Sequence, residues 1–326
     1  MLYKFIILAI MFTVLSCSKQ KDPSDITNDD IVLKDIKDVT YGYNTDSGGK
    51  MTPLLLDIYF PNNATTNNKY PLFVMIHGGG YLGGDKKGAE DVCPIMADSG
   101  FIAASINYRL GWDKGTKGCM GDTASLMRAV YRGLQDGNAA LRFLMSKAKN
   151  FAIDENWVFI GGASAGSNLA FNTTYLTQEI IQKTNPNLIL TLGNVNNAGN
   201  NATNSFTIKG VCNMWGGITD STFINEINAV PTISFHGMKD AVVPYDKGTY
   251  LNCPNYPPLY GTMTVHRQLL RFNTPSVVHL SIEGNHGPDE FSTSFLMSNT
   301  ACFFKKIIQG KSINSMILTG LNSSCK

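Results

Sequence analysis

Residues 157–181 constrain the fold of this 326-residue chain more than any other stretch. A continuous apolar segment, Trp157-Val158-Phe159-Ile160, runs into Gly162-Ala163-Ser164-Ala165-Gly166, and the residues from Ala165 to Ile181 fit a helix. A glycine-rich turn with a capping serine would explain the pentapeptide alone and would ask nothing of the rest of the chain. Between a buried strand and a helix the pattern means more. The chain must turn sharply there, the serine takes a strained conformation, and its hydroxyl is left exposed above the sheet. Glycines flank it because they keep the neighbouring strands and the helix free of steric clash. Ser164 is thereby a candidate nucleophile.

The sequence around this turn alternates between two patterns. Leu72 to Ile76 and Ile102 to Ile106 are unbroken apolar runs of the kind that form strands covered on both faces. Leu134, Leu141, Leu144, Met145 and Ala148 fall on one side of a helix. Leu54 to Phe60 reads as a strand stopped by Pro61, and Ile208 to Trp215, Thr232 to Phe235 and Val277 to Ile282 read as later strands. A closing helix is expected over 289–309. This alternation predicts an α/β fold with a mainly parallel central sheet and helices on both faces. No repeat or linker divides residues 31–326, which are expected to form one catalytic domain. Asn185 to Asn204 and Tyr245 to Tyr260 break the rhythm and are candidate insertions at the substrate rim, where α/β ligands bind beside strand ends.

Other residues supply what a nucleophilic serine needs. His77-Gly78-Gly79-Gly80 follows the strand ending at Ile76, and glycines there let backbone N–H groups approach a tetrahedral intermediate. Gly79, Gly80 and Ala165 are the expected oxyanion-hole donors, with His77 a structural member of that loop. In chains with an elbow serine the acid and then the base follow it in sequence. Asp240 lies after the strand Thr232 to Phe235, and His286 lies after the last strand. Asp240 would orient His286, which would take the Ser164 proton. Asp246 and Glu283 are the rival acids. Of the other histidines, His236 is expected to be structural, His266 to sit in a helix and His279 within a strand.

His77-Gly-Gly-Gly-Tyr81, Ser105-Ile-Asn-Tyr-Arg-Leu-Gly111, Gln135-Asp136 with Ala139-Ala-Leu-Arg142, and the Gly162 elbow occur in one order. Together they resemble the carboxylesterases of the type-B and hormone-sensitive-lipase-like groups, over roughly residues 50–300. The resemblance implies an α/β-hydrolase fold, no cofactor, no metal, and hydrolysis of carboxylic esters through an acyl-enzyme. Ala163 stands where type-B members usually have Glu, and the chain is far shorter than those enzymes, so substrate specificity does not carry over. The expected activity is that of a serine carboxylesterase acting on a small-molecule or polymer-borne ester. The alternatives are a carbohydrate esterase releasing acetyl or feruloyl groups from polysaccharide, and a non-catalytic binding protein on the same fold.

The N-terminus and the cysteines bear on location. Lys4 precedes an apolar run from Phe5 to Leu15 that is short for a permanent membrane span. Residues 1–17 read as a signal peptide ending at a lipidated Cys17, and 18–30 as a tether. This predicts an exported bacterial lipoprotein held at the membrane only through that anchor, or a secreted protein if cleavage falls elsewhere. A net charge of +2 provides no broad basic surface, so no nucleic-acid partner is expected. Removing Cys17 from the seven cysteines leaves an even set, which suggests disulfides in an exported chain. Near neighbours are expected to pair (Cys93–Cys119, Cys212–Cys253 and Cys302–Cys325), the alternative being buried free thiols that pack as small hydrophobes.

Overall fold

The structure, a computed structural model, describes residues 31–325. The chain opens with strands β1 (Ile36–Thr45), β2 (Met51–Tyr59) and β3 (Tyr70–Ile76), followed by helix α1 (Cys93–Asp98), strand β4 (Ile102–Ile106) and the long helix α2 (Thr123–Ser146). Strand β5 (Ile153–Ala163) leads into α3 (Ala165–Tyr175), α4 (Gln178–Thr184) and α5 (Pro186–Leu192). Then come β6 (Ile208–Met214), β7 (Gly217–Ile218), β8 (Thr232–Gly237), β9 (Lys247–Thr249) and β10 (Pro258–Gly261). The chain closes with α6 (Thr262–Arg271), β11 (Ser276–Ser281), α7 (Thr293–Ile308) and β12 (Met316–Thr319).

Nine strands form the central sheet in the order β1-β2-β4-β3-β5-β6-β8-β11-β12. β2 runs antiparallel to both β1 and β4, and every later pairing is parallel. The apolar runs become strands because each faces two cores. In β3, Leu72, Val74 and Ile76 pack on the side of α2, α3 and α6, whereas Phe73 and Met75 pack on the side of α1 and α7. Successive side chains point to opposite faces, so a strand covered twice has no solvent face to make polar. A fully buried Leu, Ile, Phe or Met contributes about 1.5–3 kcal/mol over its exposed state. A small antiparallel sheet, β7-β10-β9, stands apart from the main one. The α/β class and the mainly parallel sheet agree with the sequence reading.

Two local expectations are corrected. The helix from Ala165 does not continue to Ile181, because Leu176 turns extended (φ −90°, ψ 112°) after Tyr175. Thr177 then caps α4, its hydroxyl accepting from the Ile180 N–H at 3.3 Å. The strand at Ile208 stops at Met214, since Trp215 takes φ 43°.

The disulfide expectation holds for Cys302–Cys325 and is corrected for the other two pairs. Cys119 bonds to Cys253, 134 residues away, and Cys302 bonds to Cys325. Cys93 and Cys212 are free and buried in the core on the α1/α7 side. Nearness in sequence misled because β6 runs through the middle of the sheet and directs Cys212 toward α7, where its Sγ lies 3.3 Å from Thr300 Oγ1. Burial pushes the Cys212 thiol up to about 12, so it packs as a small hydrophobe. The leader, Cys17 and the tether expected from sequence lie outside the described residues. Among the described residues no helix is long and apolar enough to cross a membrane.

Candidate active site

Ser164 sits between β5 and α3 with φ 55° and ψ −120°, a conformation that side chains rarely take. Close packing holds it there. A Cβ on Gly162 would overlap the backbone of Gly166, and one on Gly166 would overlap the carbonyl oxygens of Ile76 and His77. The strand end, the helix start and the loop after β3 therefore approach one another at van der Waals distance. The Ser164 N–H donates to Met214 O at 2.9 Å, which ties the turn to β6.

The loop after β3 bends through three positive φ angles, at Gly79 (109°), Gly80 (61°) and Tyr81 (62°). Tyrosines hold it in place. The Tyr81 hydroxyl donates to Asn168 Oδ1 at 2.5 Å, joining the loop to α3. The Tyr108 ring stacks on His77 at 4.4 Å, and its hydroxyl donates to His77 O at 3.2 Å. His77 turns its Nδ1 toward Gly78 O at 2.7 Å, and burial lowers its pKa. Among the described residues the N–H groups of Gly79, Gly80 and Ala165 have no acceptor. All three residues line the cavity that holds Ser164.

Asp240 and His286 come from the loops after β8 and β11, which are parallel neighbours in the sheet. The two loops interlock, since the Met238 N–H donates to Ser281 O and the Lys239 N–H to Gly284 O. Asp240 Oδ1 accepts from the N–H groups of Val242 (2.8 Å) and Val243 (2.9 Å). Its Oδ2 accepts from His286 Nδ1 at 2.8 Å, and His286 Nε2 lies 2.8 Å from Ser164 Oγ. Burial by itself would raise the Asp240 pKa. The hydrogen bonds from His236, His286 and the Val243 N–H outweigh it and hold the carboxyl well below the usual carboxylate range. Asp240 is thus an ionised partner for the imidazole.

The rival residues lie elsewhere. Asp246 pairs with Arg267 and accepts from Thr264 Oγ1 at 2.6 Å, and Glu283 pairs with Lys239 on the surface. His266 sits in α6, its Nδ1 2.8 Å from Ser276 Oγ, and His279 stacks on Phe235 within β11. His236 does more than the sequence suggested, because its Nε2 lies 3.2 Å from Asp240 Oδ2. No local pattern marks that contact. Asp240 falls four residues past His236, after the chain has left the strand.

A cavity of about 440 Å³ opens over Ser164 and His286. Its other walls come from Trp112, Trp215, Val242, Tyr250 and Leu251. Of the two candidate rim insertions, Tyr245 to Tyr260 does reach the cavity. Asn185 to Asn204 does not. Arg142 and Gln135 of α2 bind its backbone carbonyls, and it covers that helix. Arg109 and Gln135-Asp136, far apart in sequence, meet in the structure: Arg109 forms a buried pair with Asp136 (Nη2–Oδ1 2.8 Å) and donates to Gln135 Oε1 at 2.9 Å.

A family model described as BD-FAE matches residues 56–229, more than half of the chain. The chain belongs to the BD-FAE family. Among curated relatives it is similar to gut esterase 1 of Caenorhabditis elegans, 37% identical over 120 residues, which is 35% of this chain and 19% of that protein. It is also similar to carboxylesterase 3B of Mus musculus, 34% identical over 117 residues, 35% of this chain and 19% of that protein. The matched region thus spans about a fifth of the length of these relatives. Among solved structures, a truncated carbohydrate esterase from gut microbiota is similar over 86% of this chain and 98% of its own, with TM-score 0.61 and 17% identity. Esterase 2 of Thermogutta terrifontis phosphorylated by paraoxon is similar over 85% and 96%, with TM-score 0.57 and 15% identity. These likenesses show that this BD-FAE chain has the α/β-hydrolase fold of esterases.

Proposed function

We propose that this BD-FAE chain is a serine carboxylesterase. The observation that carries the reading is the hydrogen-bonded row from Asp240 through His286 to Ser164, facing the cavity beside three N–H groups without acceptors. In this reading Ser164 Oγ attacks the ester carbonyl carbon while His286 Nε2 takes its proton. Asp240 stabilises the imidazolium and keeps the Nδ1 proton directed at itself. The N–H groups of Gly79, Gly80 and Ala165 stabilise the oxyanion, each typically contributing about 10²–10³ in kcat. His286 then protonates the departing alcohol, and water enters by the same route in reverse to release the acid.

Ser164→Ala should abolish hydrolysis of p-nitrophenyl acetate and labelling by a fluorophosphonate probe. Full activity in that variant would overturn the serine mechanism. A folded wild-type protein that never takes the label would favour the binding-protein alternative. A narrower form of the reading, release of acetyl or feruloyl groups from polysaccharide, is supported by the likeness to the gut carbohydrate esterase. Its test is acid release from acetylated or feruloylated xylan. Export is part of the proposal, supported by the leader pattern and by two disulfides suited to an oxidising compartment. Lipid attachment at Cys17 is tested by palmitate labelling of the wild type against Cys17→Ser.

A further inference from the structure

Two side chains that wall the Ser164 cavity carry polar atoms without a hydrogen bond of normal geometry. Trp112 and Tyr250 are 7% and 6% exposed, and both line the cavity. Trp112 Nε1 is buried with no hydrogen-bond partner among the described residues, and Tyr250 Oη is buried with no hydrogen bond of normal geometry, its polar neighbour being the Tyr81 hydroxyl. The neighbouring tyrosines differ in this respect. Tyr81 donates to Asn168, Tyr108 to His77 O, and Tyr256 accepts from the Gly121 N–H. Leaving a buried donor unpaired destabilises a protein, so such groups are sparse and tend to mark places where a ligand completes the bonding.

The wall that holds these two groups is stapled. Trp112 belongs to the segment after β4 and Tyr250 to the segment after β9, and Cys119–Cys253 joins the two across 134 residues. Beside the disulfide, Asn255 Nδ2 donates to Cys119 O at 2.9 Å, and the Gly121 N–H donates to Tyr256 Oη at 2.8 Å. Tyr256 also packs edge-on against the Trp112 ring at 5.5 Å. Next to Tyr250, Leu251 is held at φ 54° by donating its N–H to Val242 O at 2.8 Å. These ties fix the segments that carry the two rings. This is preorganisation of the kind that makes a recognition group selective.

We infer that Trp112 Nε1 and Tyr250 Oη form an acceptor-reading subsite of this cavity, and that its substrates are esters bearing a hydroxyl or ether oxygen on the group seated there. The inference rests on the esterase reading above. An indole N–H can only donate, and the Tyr250 hydroxyl, kept protonated by burial, is able to donate as well, so an acceptor placed between them satisfies both. Val242, Val243 and Leu251 with the Trp215 ring give apolar surface for the carbon frame of such a group, and the exposed Lys114 lines the same cavity as a further donor. A site built around buried donors rejects an isosteric substrate lacking the acceptor far more strongly than an apolar pocket rejects a missing methylene.

The test compares esters that differ by one CH2-to-oxygen exchange at constant length. On the acyl side, 4-nitrophenyl 3-methoxypropanoate is set against 4-nitrophenyl pentanoate. On the alcohol side, 2-ethoxyethyl acetate is set against pentyl acetate. Each kcat/KM is divided by the rate constant for hydroxide hydrolysis of the same ester. The wild type should prefer the ether ester by about tenfold or more in one of the pairs. Tyr250→Phe, which keeps the ring and deletes the donor, and Trp112→Phe, which keeps an aromatic ring of smaller size and deletes the donor, should each reduce that preference by about threefold or more. Thermal unfolding of both variants is followed in parallel, because a purely structural role would move Tm and leave the ratio alone. A preference within about twofold in both pairs, or one that both variants leave intact, overturns the inference while the esterase reading stands. Failure to cleave any of the four esters, with the protein folded, overturns the esterase reading and the inference with it.

Discussion

His236 and Asp240 face each other at the end of β8, with Nε2 of the histidine 3.2 Å from Oδ2 of the carboxylate. The same Nε2 lies 3.1 Å from Val243 O, and Nδ1 lies 2.8 Å from Thr262 Oγ1. Both neighbours of Nε2 are acceptors, so these partners assign the proton to Nε2 and leave Nδ1 to accept from the Thr262 hydroxyl. Asp240 then receives four donors: His286, His236 and the N–H groups of Val242 and Val243. A carboxylate bonded at every side cannot rotate away from His286.

Removing one donor should therefore show in the chemistry. His236→Leu is expected to lower kcat by about ten- to a hundredfold with KM little changed, the size of one hydrogen bond to a charged group. His236→Gln, which can still donate, should retain more activity. Steady-state kinetics on p-nitrophenyl acetate check this, and equal kcat for wild type and His236→Leu would contradict it.

Gly166→Ala tests the packing of the elbow. The added methyl would meet the carbonyl oxygens of Ile76 and His77, at the root of the loop carrying Gly79 and Gly80. That loop must shift, and kcat should fall by about 10²–10³, as when one oxyanion donor is lost. The melting temperature should fall as well. Unchanged kcat would mean that the loop does not set the oxyanion geometry.

The two disulfides should contribute unequally to stability. Cys119–Cys253 closes a loop of 134 residues and Cys302–Cys325 one of 23. Loop-closure entropy assigns them at most roughly 5 and 3 kcal/mol. Urea unfolding of Cys253→Ser and Cys302→Ser, with the partner cysteine also replaced, is expected to show the larger loss for the first. Equal losses would contradict this order.

Acid should destabilise the fold through buried histidines. Burial lowers the His279 pKa to about 4, and it lowers those of His77 and His266 as well. The unfolded chain binds protons near pH 6.5 while the native chain does not, so stability is complete above about pH 6.5 and falls as pH drops toward 4. For His279 alone the loss is up to about 3 kcal/mol. His279→Phe, which keeps a ring against Phe235, should flatten that limb in chemical denaturation between pH 7 and 4.5. A limb of unchanged steepness would remove His279 as its source.

How much could be read without coordinates depends on whether a feature is local. The strand–Gly162–Ser164–Gly166–helix run and the loop beginning at His77 are each written in consecutive residues, because steric demands act on neighbours in the chain. The order of Asp240 and His286 after late strands was legible for the same reason: parallel strands deliver their C-terminal loops to one edge. The break at Leu176 was not legible, since the weak helix formers Asn172-Thr173-Thr174-Tyr175 lie inside α3 all the same, and propensity alone does not place a new cap. The Asn185 to Asn204 stretch looked like a rim because composition marks a loop and does not say which side of the sheet it covers.

The sequence by itself determined the class of fold, the elbow serine and the residues able to serve it, since periodicity and glycine placement express backbone sterics directly. Tertiary structure alone decided which cysteines bond, that His236 joins Asp240, and that Trp112 and Tyr250 wall the cavity with polar atoms that lack a hydrogen bond of normal geometry. Those relations join residues as much as 138 positions apart, between Trp112 and Tyr250. Their contacts follow from strand order and loop packing, and no pattern in neighbouring residues encodes them.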